Sequence, residues 1–126
     1  MDTGAGTAES FARALAAKDR AGLLALLADD VDFRAMTPGR FWEAANAEQI
    51  VDEVILGHWF EEDDRIEALL STETDEVADR TRLSYRLRVR NQDGLHLVEQ
   101  QAYLNETDGR IGWLRIMCSG YRPINA

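Results

Sequence analysis

The spacing of apolar residues changes along this chain, from a mainly helical period near 3.6 in the first half to a strand period of 2 in the second. A chain that forms helices first and consecutive strands afterwards can bury its apolar surface by laying the helices on one face of the sheet. The pattern therefore predicts an α+β fold with N-terminal helices packed on a curved antiparallel sheet. With 126 residues we expect a single domain, 1–126.

Two helices are predicted at the start of the chain. Thr7 can cap the first, in which Phe11 and Leu15 fall at helical spacing. Asp19 can cap the second, whose leucines between 23 and 27 are too dense for a solvated face. Both helices are therefore expected to face the core.

A short strand and a third helix follow. Val31, Phe33 and Ala35 alternate with polar residues up to a turn at 37–39. Asn46 and Gln49 are spaced as a capping pair for the helix. Its apolar face comprises Ile50, Val51, Val54, Ile55, His58 and Trp59. We therefore expect His58 to lie on the buried face of this helix, at the inner end of the core.

The second half predicts strands at 66–72, 82–90, 95–105 and 111–120, the last three joined as two successive hairpins. A three-residue turn ending at Gly109 would pair Ala102, Gln100 and Val98 with Leu114, Ile116 and Cys118. The loop of the first hairpin leaves its register open. Three-residue and four-residue loops present opposite faces of the next strand, so either His96 or Glu99 points inward.

Charge and composition exclude several classes of partner. With 14 basic and 23 acidic side chains the net charge is −9, which repels nucleic acid and anionic lipid surfaces. No apolar run approaches the roughly 20 residues of a membrane span. The start of the sequence lacks the features of a secretory signal, and a single cysteine forms no intrachain disulfide, so the expected compartment is the cytoplasm.

Few residues on the apolar elements carry chemistry. His58 can act as an acid or base, or serve as a hydrogen-bonded core histidine. Tyr85 places its hydroxyl on the apolar, core-facing side of its strand and needs a hydrogen-bond partner such as Gln100, water or a ligand. His96 follows the hairpin turn, and an exposed position is the favoured interpretation. Cys118 has no base or cation beside it in sequence and is interpreted as structural.

Two histidines without a spaced third ligand make a poor metal site, and the chain contains no phosphate-binding glycine loop. We therefore expect neither a metal nor a cofactor.

The strand at 82–90 carries arginines on its polar face. Glu99 on the next strand favours a solvated or intersubunit salt-bridged face over an anion-binding one. The same face is expected to hold Trp113, Met117 and Tyr103, which is too much apolar surface for a monomer to leave in water. The sequence therefore predicts a homodimer formed through the sheet.

Several segments together resemble the nuclear transport factor 2-like, or SnoaL-like, superfamily. They are Phe11–Asp19, Leu23–Val31 with its Ala-Asp-Asp-Val close, the Asp108-Gly-Arg-Ile111 turn and the terminal strand. The resemblance covers nearly the whole chain and implies helices enclosing a cone against a curved sheet. Members of this superfamily include isomerases, dehydratases, epoxide hydrolases, polyketide cyclases and non-catalytic proteins, so the fold alone does not assign a reaction.

One enzyme type of the superfamily can be compared position by position. Laid without gaps on a ketosteroid isomerase-like pattern, the oxyanion-binding tyrosine falls at Phe11 and the general-base aspartate at Ala35. Neither side chain donates or abstracts a proton, so the resemblance disfavours ketosteroid isomerase chemistry.

The resemblance implies that any ligand site lies inside the cone. On that basis His58 and Tyr85 are the candidate catalytic residues. Trp42, near the turn at 37–39, either covers the pocket mouth or packs on the surface as a loop residue. The candidate lining residues are Phe11, Phe33, Trp42, Val54, Trp59, Leu87, Gln100, Leu114 and Cys118.

Two hypotheses follow for the function. The first is an enzyme that acts on a small hydrophobic metabolite by acid–base chemistry, as a cyclase, isomerase, dehydratase or hydrolase. The second is a non-catalytic binding or accessory domain whose apolar interior holds a ligand or is simply the core.

Overall fold

The computed structural model describes residues 3–124, in which three helices cover one face of a curved, unclosed sheet of seven strands. The helices are α1 (Thr3–Ala16), α2 (Arg20–Leu26) and α3, which consists of Ala47–Gln49 and Ile50–Trp59. The strands are β1 (Leu27–Thr37), β2 (Arg40–Ala44), β3 (Arg65–Val77), β4 (Arg80–Asn91), β5 (Gly94–Thr107), β6 (Arg110–Cys118) and β7 (Arg122–Pro123).

The strand order is β2-β1-β6-β5-β4-β3, with β7 beside β5. Neighbouring strands run antiparallel except β1 and β6, which are parallel. The predicted α+β architecture, with helices first and a curved sheet afterwards, is therefore confirmed, and the β1–β6 pair makes the sheet mixed. No helix within residues 3–124 is long and apolar enough to cross a membrane.

The first helix begins earlier than its predicted cap. It starts at Thr3, so Thr7 lies inside the helix and the prediction of an N-cap at Thr7 is wrong. The Thr7 hydroxyl instead donates to a carboxylate oxygen of Glu106 on β5 at 2.8 Å. Helix α1 is thereby fixed to the sheet near the turn between β5 and β6.

The junction between α1 and α2 is a tight turn built on Lys18 and Asp19. Lys18 adopts a left-handed backbone with φ of 52°, and the Asp19 N–H donates to the Ala14 carbonyl at 2.8 Å, as in a Schellman C-cap. The Asp19 side chain then accepts from the Gly22 N–H at 3.0 Å, which confirms the predicted cap of α2.

Strand β2 was not expected from the sequence. Trp42 therefore lies in a strand opposite Ala35, and the interpretation of Trp42 as a loop residue is wrong. The segment gave no strand signal because it is short and its large apolar residue Phe41 points to solvent, with 80% of its surface exposed.

Helix α3 begins at its predicted cap and then widens. The Gln49 N–H donates to the Asn46 side chain at 2.8 Å, which confirms the capping interaction. From Ile50 to Trp59 the helix is a π-helix, as the bond from the Phe60 N–H to the Ile55 carbonyl at 2.8 Å illustrates.

The widened turn changes which residues face the core. In a helix with i to i+5 bonds, Trp59 rather than His58 lies above Val54 and Ile55. Trp59 is buried and His58 is exposed. The prediction that His58 lies at the inner end of the core is therefore wrong, because it assumed a regular α-helix.

The hairpin between β4 and β5 has a two-residue turn, since Asn91 pairs with Gly94. This register was not among the two considered, and it places His96 on the inner face and Glu99 on the outer face. The favoured interpretation of His96 as an exposed hairpin residue is therefore wrong. Leu83, Tyr85, Leu87 and Val89 of β4 are buried as predicted.

The hairpin between β5 and β6 keeps the predicted inner face but not the predicted pairs. Leu114 pairs with Leu104 rather than with Ala102, and Cys118 pairs with Gln100 rather than with Val98. A register irregularity between Asn105 and Glu106 accompanies this shift of two residues, which preserves the face because side chains alternate with period 2.

Candidate functional site

One end of the cone is lined by aromatic side chains. Here β1 and β6 end and α3 finishes at Trp59. We define the aromatic end by seven residues: Phe33, Trp42, His58, Trp59, Phe60, His96 and Tyr121.

Trp42 and Trp59 form the first half of the aromatic end. Their rings lie edge to face with centroids 6.2 Å apart, and the Phe33 ring is 6.2 Å from that of Trp59. The Trp42 Nε1–H donates to the Thr37 hydroxyl at 2.8 Å, and the Arg40 guanidinium stacks 3.7 Å from the Trp42 ring centroid. Trp42 is thus held between the core and the surface.

Tyr121 forms the second half of the aromatic end. Its ring centroid lies 5.5 Å from that of His96 and 6.2 Å from that of Phe60. Its hydroxyl donates to the Trp59 carbonyl at 2.7 Å. Burial raises the pKa of Tyr121 well above its usual value, and the nearby Asp64 carboxylate raises it further, so the phenol stays protonated.

A polar pair lies deeper in the cone. The Tyr85 hydroxyl donates to the Gln100 side-chain oxygen, and both side chains are buried. Burial raises the pKa of Tyr85, and the neighbouring Cys118 thiol adds to the effect. The Cys118 Sγ accepts a bond from the Gly120 N–H at 3.4 Å. Tyr85, Gln100 and Cys118 therefore form one buried cluster on three adjacent strands.

Three buried polar atoms of this region have no hydrogen-bond partner among the described residues: Gln100 Nε2, His96 Nδ1 and Trp59 Nε1. Their residues are 2%, 6% and 6% exposed. Such groups are normally satisfied by protein, water or ligand, because an unmade bond costs about 1–3 kcal/mol. The cone thus contains unused hydrogen-bonding capacity in an apolar setting.

The two predicted catalytic residues lie in different surroundings. Tyr85 is fully buried beside Gln100, whereas His58 is exposed and stacks on Trp42 with centroids 5.2 Å apart. The His58 Nδ1 lies 2.5 Å from the Glu53 carbonyl and donates to it, which leaves Nε2 free. The structure therefore does not bring His58 and Tyr85 into one buried cluster.

The predicted lining residues fall almost entirely in the core. Trp42 is half-buried. The buried ones are Phe11, Phe33, Val54, Trp59, Leu87, Gln100, Leu114 and Cys118. Phe11 and Ala35, where the ketosteroid isomerase-like pattern has its tyrosine and aspartate, are both buried.

Sequence reasoning missed His96 and Tyr121 as residues of this site. The Asp93-Gly94 dipeptide is a signal that could have indicated a tight hairpin turn and hence an inward His96. Nothing in the sequence around Tyr121 distinguishes it from a surface residue. Among residues 3–124, no three His, Cys, Asp or Glu side chains converge as a metal site would require.

The opposite, outer face of the sheet is polar on one side and apolar on the other. The outward-facing arginines of β4 form an arginine stripe, and each of them makes an ion pair, for example Arg90 with Glu67 at 2.8 Å; the stripe comprises Arg82, Arg86, Arg88 and Arg90. Three adjoining grooves of about 550, 260 and 540 Å³ share Met117, whose surface is 58% exposed. The Trp113 ring stacks against the guanidinium groups of Arg80 and Arg115 at 3.9 and 4.4 Å.

Neither protein-family profiles nor curated proteins match this sequence. Solved structures do match it. A nuclear transport factor 2-like protein of unknown function from Mesorhizobium loti superposes with a TM-score of 0.65 at 22% identity, over 94% of this chain and 93% of that one. The chain has the nuclear transport factor 2-like fold. The fold that the resemblance in the sequence implied is thereby confirmed.

Enzymes occur among the other nuclear transport factor 2-like structures that match. A proposed polyketide cyclase from Pseudomonas putida has a TM-score of 0.70 at 16% identity and covers 92% of this chain and 90% of that one. An LEH-like epoxide hydrolase from Mycobacterium tuberculosis has a TM-score of 0.68 at 14% identity and covers 93% and 83%. At these identities the likeness is one of fold.

Proposed function

We propose that this chain binds a small hydrophobic molecule inside the cone and acts on it by acid–base chemistry, as a cyclase or isomerase does. The observation that carries the proposal is Gln100, a buried amide with an unpartnered Nε2 in an otherwise apolar interior. A protein that needed only a packed core could replace both Gln100 and its partner Tyr85 by apolar side chains and bury no polar group here. A bound ligand that accepts a hydrogen bond from the Gln100 amide would satisfy this buried polar group.

The free groups specify the chemistry of the ligand. Trp59 Nε1 and Gln100 Nε2 are donors only, so the ligand must bring acceptor oxygens such as carbonyls. If the Gln100 amide turns over, its nitrogen donates to the Tyr85 oxygen and the Tyr85 O–H becomes the free donor. The pair offers a donor in either orientation, which supports a ligand with a carbonyl over a plain hydrocarbon.

The same geometry suggests separate roles for the two proposed catalytic residues. Tyr85 keeps its proton because its pKa is raised, so it serves as a hydrogen-bond donor rather than a base. His58 has a free Nε2 beside Trp42 and is the proposed proton-transfer residue at the aromatic end. Proteins that share this fold include a proposed polyketide cyclase and an epoxide hydrolase, which is compatible with such chemistry.

A pair of matched probes tests the binding proposal. We expect 2-acetylnaphthalene, which carries a carbonyl, to bind more tightly than 2-ethylnaphthalene when titrated against tryptophan fluorescence. Gln100→Leu should weaken binding of the ketone about fivefold, which is the value of one ordinary hydrogen bond, and leave the affinity for the hydrocarbon unchanged.

Gln101→Leu is the control, because Gln101 is the exposed neighbour on the outer face of β5. It should change neither affinity. Equal affinities for the ketone and the hydrocarbon, or an equal loss in both variants, would count against the proposal.

The second candidate is a non-catalytic accessory domain whose cone is only a core. The observation that favours it is the close packing of large side chains: Phe11, Phe60 and Tyr85 are all essentially fully buried. Failure of every carbonyl probe to bind, with the double variant Tyr85→Phe/Gln100→Leu more stable than the wild type, would support this candidate.

We also propose that two copies pair through the outer face. Met117 and Phe41 are exposed apolar residues that line the same two adjoining grooves. Trp113, stacked on Arg80 and Arg115, belongs to the same face. An apolar surface of this kind is typical of an interface between subunits.

A further inference from the structure

Residues 119–124, which follow β6, cross the aromatic end of the cone, and we name this segment the strap. The Tyr121 hydroxyl in the strap bonds to the Trp59 carbonyl at the end of α3, and the Tyr121 ring packs on His96 of β5. Pro123 in β7 pairs with His96. The strap therefore joins helix α3 to strand β5.

The strap also contacts the turn between β1 and β2. Gly120 lies so close to Pro38 that a Cβ added to it would be 2.9 Å from the Pro38 Cγ. Gly120 has a φ of 76°, a left-handed conformation in which glycine is free of strain. The strap thus enters the aromatic end through a glycine that packs against the turn between β1 and β2.

Few bonds hold the strap. The Ser119 N–H donates to the Glu99 carbonyl at 2.8 Å, and the Ser119 hydroxyl accepts from the Glu99 N–H at 2.9 Å. The Ile124 N–H donates to the Leu95 carbonyl at 2.9 Å, and β7 spans only two residues. The Arg122–Glu99 ion pair at 3.5 Å is exposed and adds little. β7 is the shortest strand within residues 3–124, so we expect the strap to be the part of the wall that opens at the lowest cost.

The residues beneath the strap are the buried ones with free polar atoms. Tyr121 contacts His96, whose Nδ1 is unpartnered, and bonds to Trp59, whose Nε1 is unpartnered. The Gly120 N–H bonds to Cys118 Sγ, and Cys118 pairs with Gln100. Movement of the strap would therefore release a contact to Cys118, which lies beside Gln100 of the Tyr85–Gln100 pair.

We propose that the strap is the gate to the cone and that Tyr121 is its latch. The strap turns about Gly120, and Tyr121 leaves its place between Phe60 and His96. What passes through the gate rests on the proposed function, but the opening itself does not. The latch holds through one hydrogen bond and the packing of one ring.

The single cysteine provides a direct test of this opening. Cys118 is 8% exposed and its Sγ accepts a bond from the Gly120 N–H of the strap, so opening of the strap should raise its rate of reaction with 5,5′-dithiobis(2-nitrobenzoate). We expect Tyr121→Phe, which removes only the hydroxyl, to react about fivefold faster than the wild type. Tyr121→Ala, which also removes the ring, should react faster still, by tenfold or more.

Tyr103→Phe is the matched control, because Tyr103 lies on the outer face and its hydroxyl bonds only to the exposed Gln101 among the described residues. It should react at the wild-type rate. Opening of the strap exposes little surface, so the wild-type rate should be nearly independent of urea at low concentration.

Two results would overturn the gate. One is a labelling rate that rises with urea as steeply as global unfolding does. The other is a Tyr121→Phe rate equal to that of the wild type. If labelling behaves as expected but 2-acetylnaphthalene does not bind, the gate stands and the proposed function fails.

Discussion

At the scale of single residues, the Tyr85–Gln100 pair is the central polar feature of this core, and Gln100 is one of the partners that the sequence predicts for Tyr85. Strand β4 presents Leu83, Leu87 and Val89 on the same face, all buried and apolar. The Tyr85 hydroxyl is buried among them and needs the Gln100 oxygen, while the Gln100 nitrogen remains unused. The stability of the pair should therefore depend strongly on whether both partners are present.

Tyr85→Phe should destabilise the fold by about 1–3 kcal/mol, because it leaves the buried Gln100 amide with no partner at either atom. Gln100→Leu should cost a similar amount by orphaning the Tyr85 hydroxyl. The double variant should recover most of the loss, since both polar groups are then gone. Urea unfolding of the wild type, the two single variants and the double variant gives the free energies of this double-mutant cycle. If the free-energy changes of the two single variants simply add in the double variant, the two groups do not interact.

Stability should also fall at alkaline pH because of buried tyrosines. Burial raises the pKa of Tyr85 and of Tyr121 in the folded state, so their contribution is fully present below the unfolded-state pKa near 10 and is lost as the pH rises above it. Urea unfolding at pH 9 and pH 11 should show the loss, and Tyr121→Phe should reduce it. Absorbance at 295 nm checks the assignment, because buried phenols that ionise before unfolding would contradict it.

At the scale of elements, residue patterns located most helices and strands but not how α3 is wound. Asp19 and Asn46 marked true helix starts, because a cap is a local interaction between neighbours in sequence. The π-helix depends on tertiary packing and turns His58 outward, which no period of 3.6 could reveal. The buried positions of residues such as Phe33 and Leu87 therefore followed from local patterns, whereas the exposed position of His58 did not.

The sheet shows the same division between local and tertiary information. Alternation alone identified the buried residues of β4, since period 2 follows from strand geometry. The side on which His96 lies depends on a two-residue turn, which is one residue shorter than the shorter of the two predicted loops. Tyr121 could not be assigned from sequence at all, because its partners Trp59 and His96 lie far along the chain.

Gly57 tests the π-helix directly. A glycine in an exposed helix interior usually gains up to about 1 kcal/mol when changed to alanine. A Cβ at Gly57 would lie 2.5 Å from the Asp52 carbonyl oxygen, so Gly57→Ala should instead destabilise the protein. Gly6→Ala in α1 is the control, because nothing lies within 4 Å of its added Cβ, and it should be stabilising. If both variants gained stability in urea unfolding, α3 would not be wound as a π-helix at this position.

At the scale of the whole molecule, the distribution of surface chemistry argues for assembly. The net charge of −9 keeps copies apart in general, so self-association needs a face that outweighs the repulsion. The outer face offers its arginine stripe with local ion pairs, and exposed Met117 and Phe41 beside it. The helical face of the molecule offers no matching exposed large apolar residue among those described, which favours pairing of two outer faces.

Sedimentation velocity at micromolar concentration should therefore give twice the mass of the chain. A stable pair needs about 800 Å² of buried surface on each copy, with Met117 near its centre because all three outer grooves meet there. In a symmetric pair, Met117→Glu brings the two introduced carboxylates close together across the interface. Because the two charges repel each other, the variant should sediment as a monomer. Ala25→Glu adds the same charge on the exposed side of α2, away from the sheet, and should remain a dimer. A specific dimer of this area is expected to have formed at a concentration on the order of 50 µM. A wild-type protein that is still monomeric at that concentration would refute the assembly.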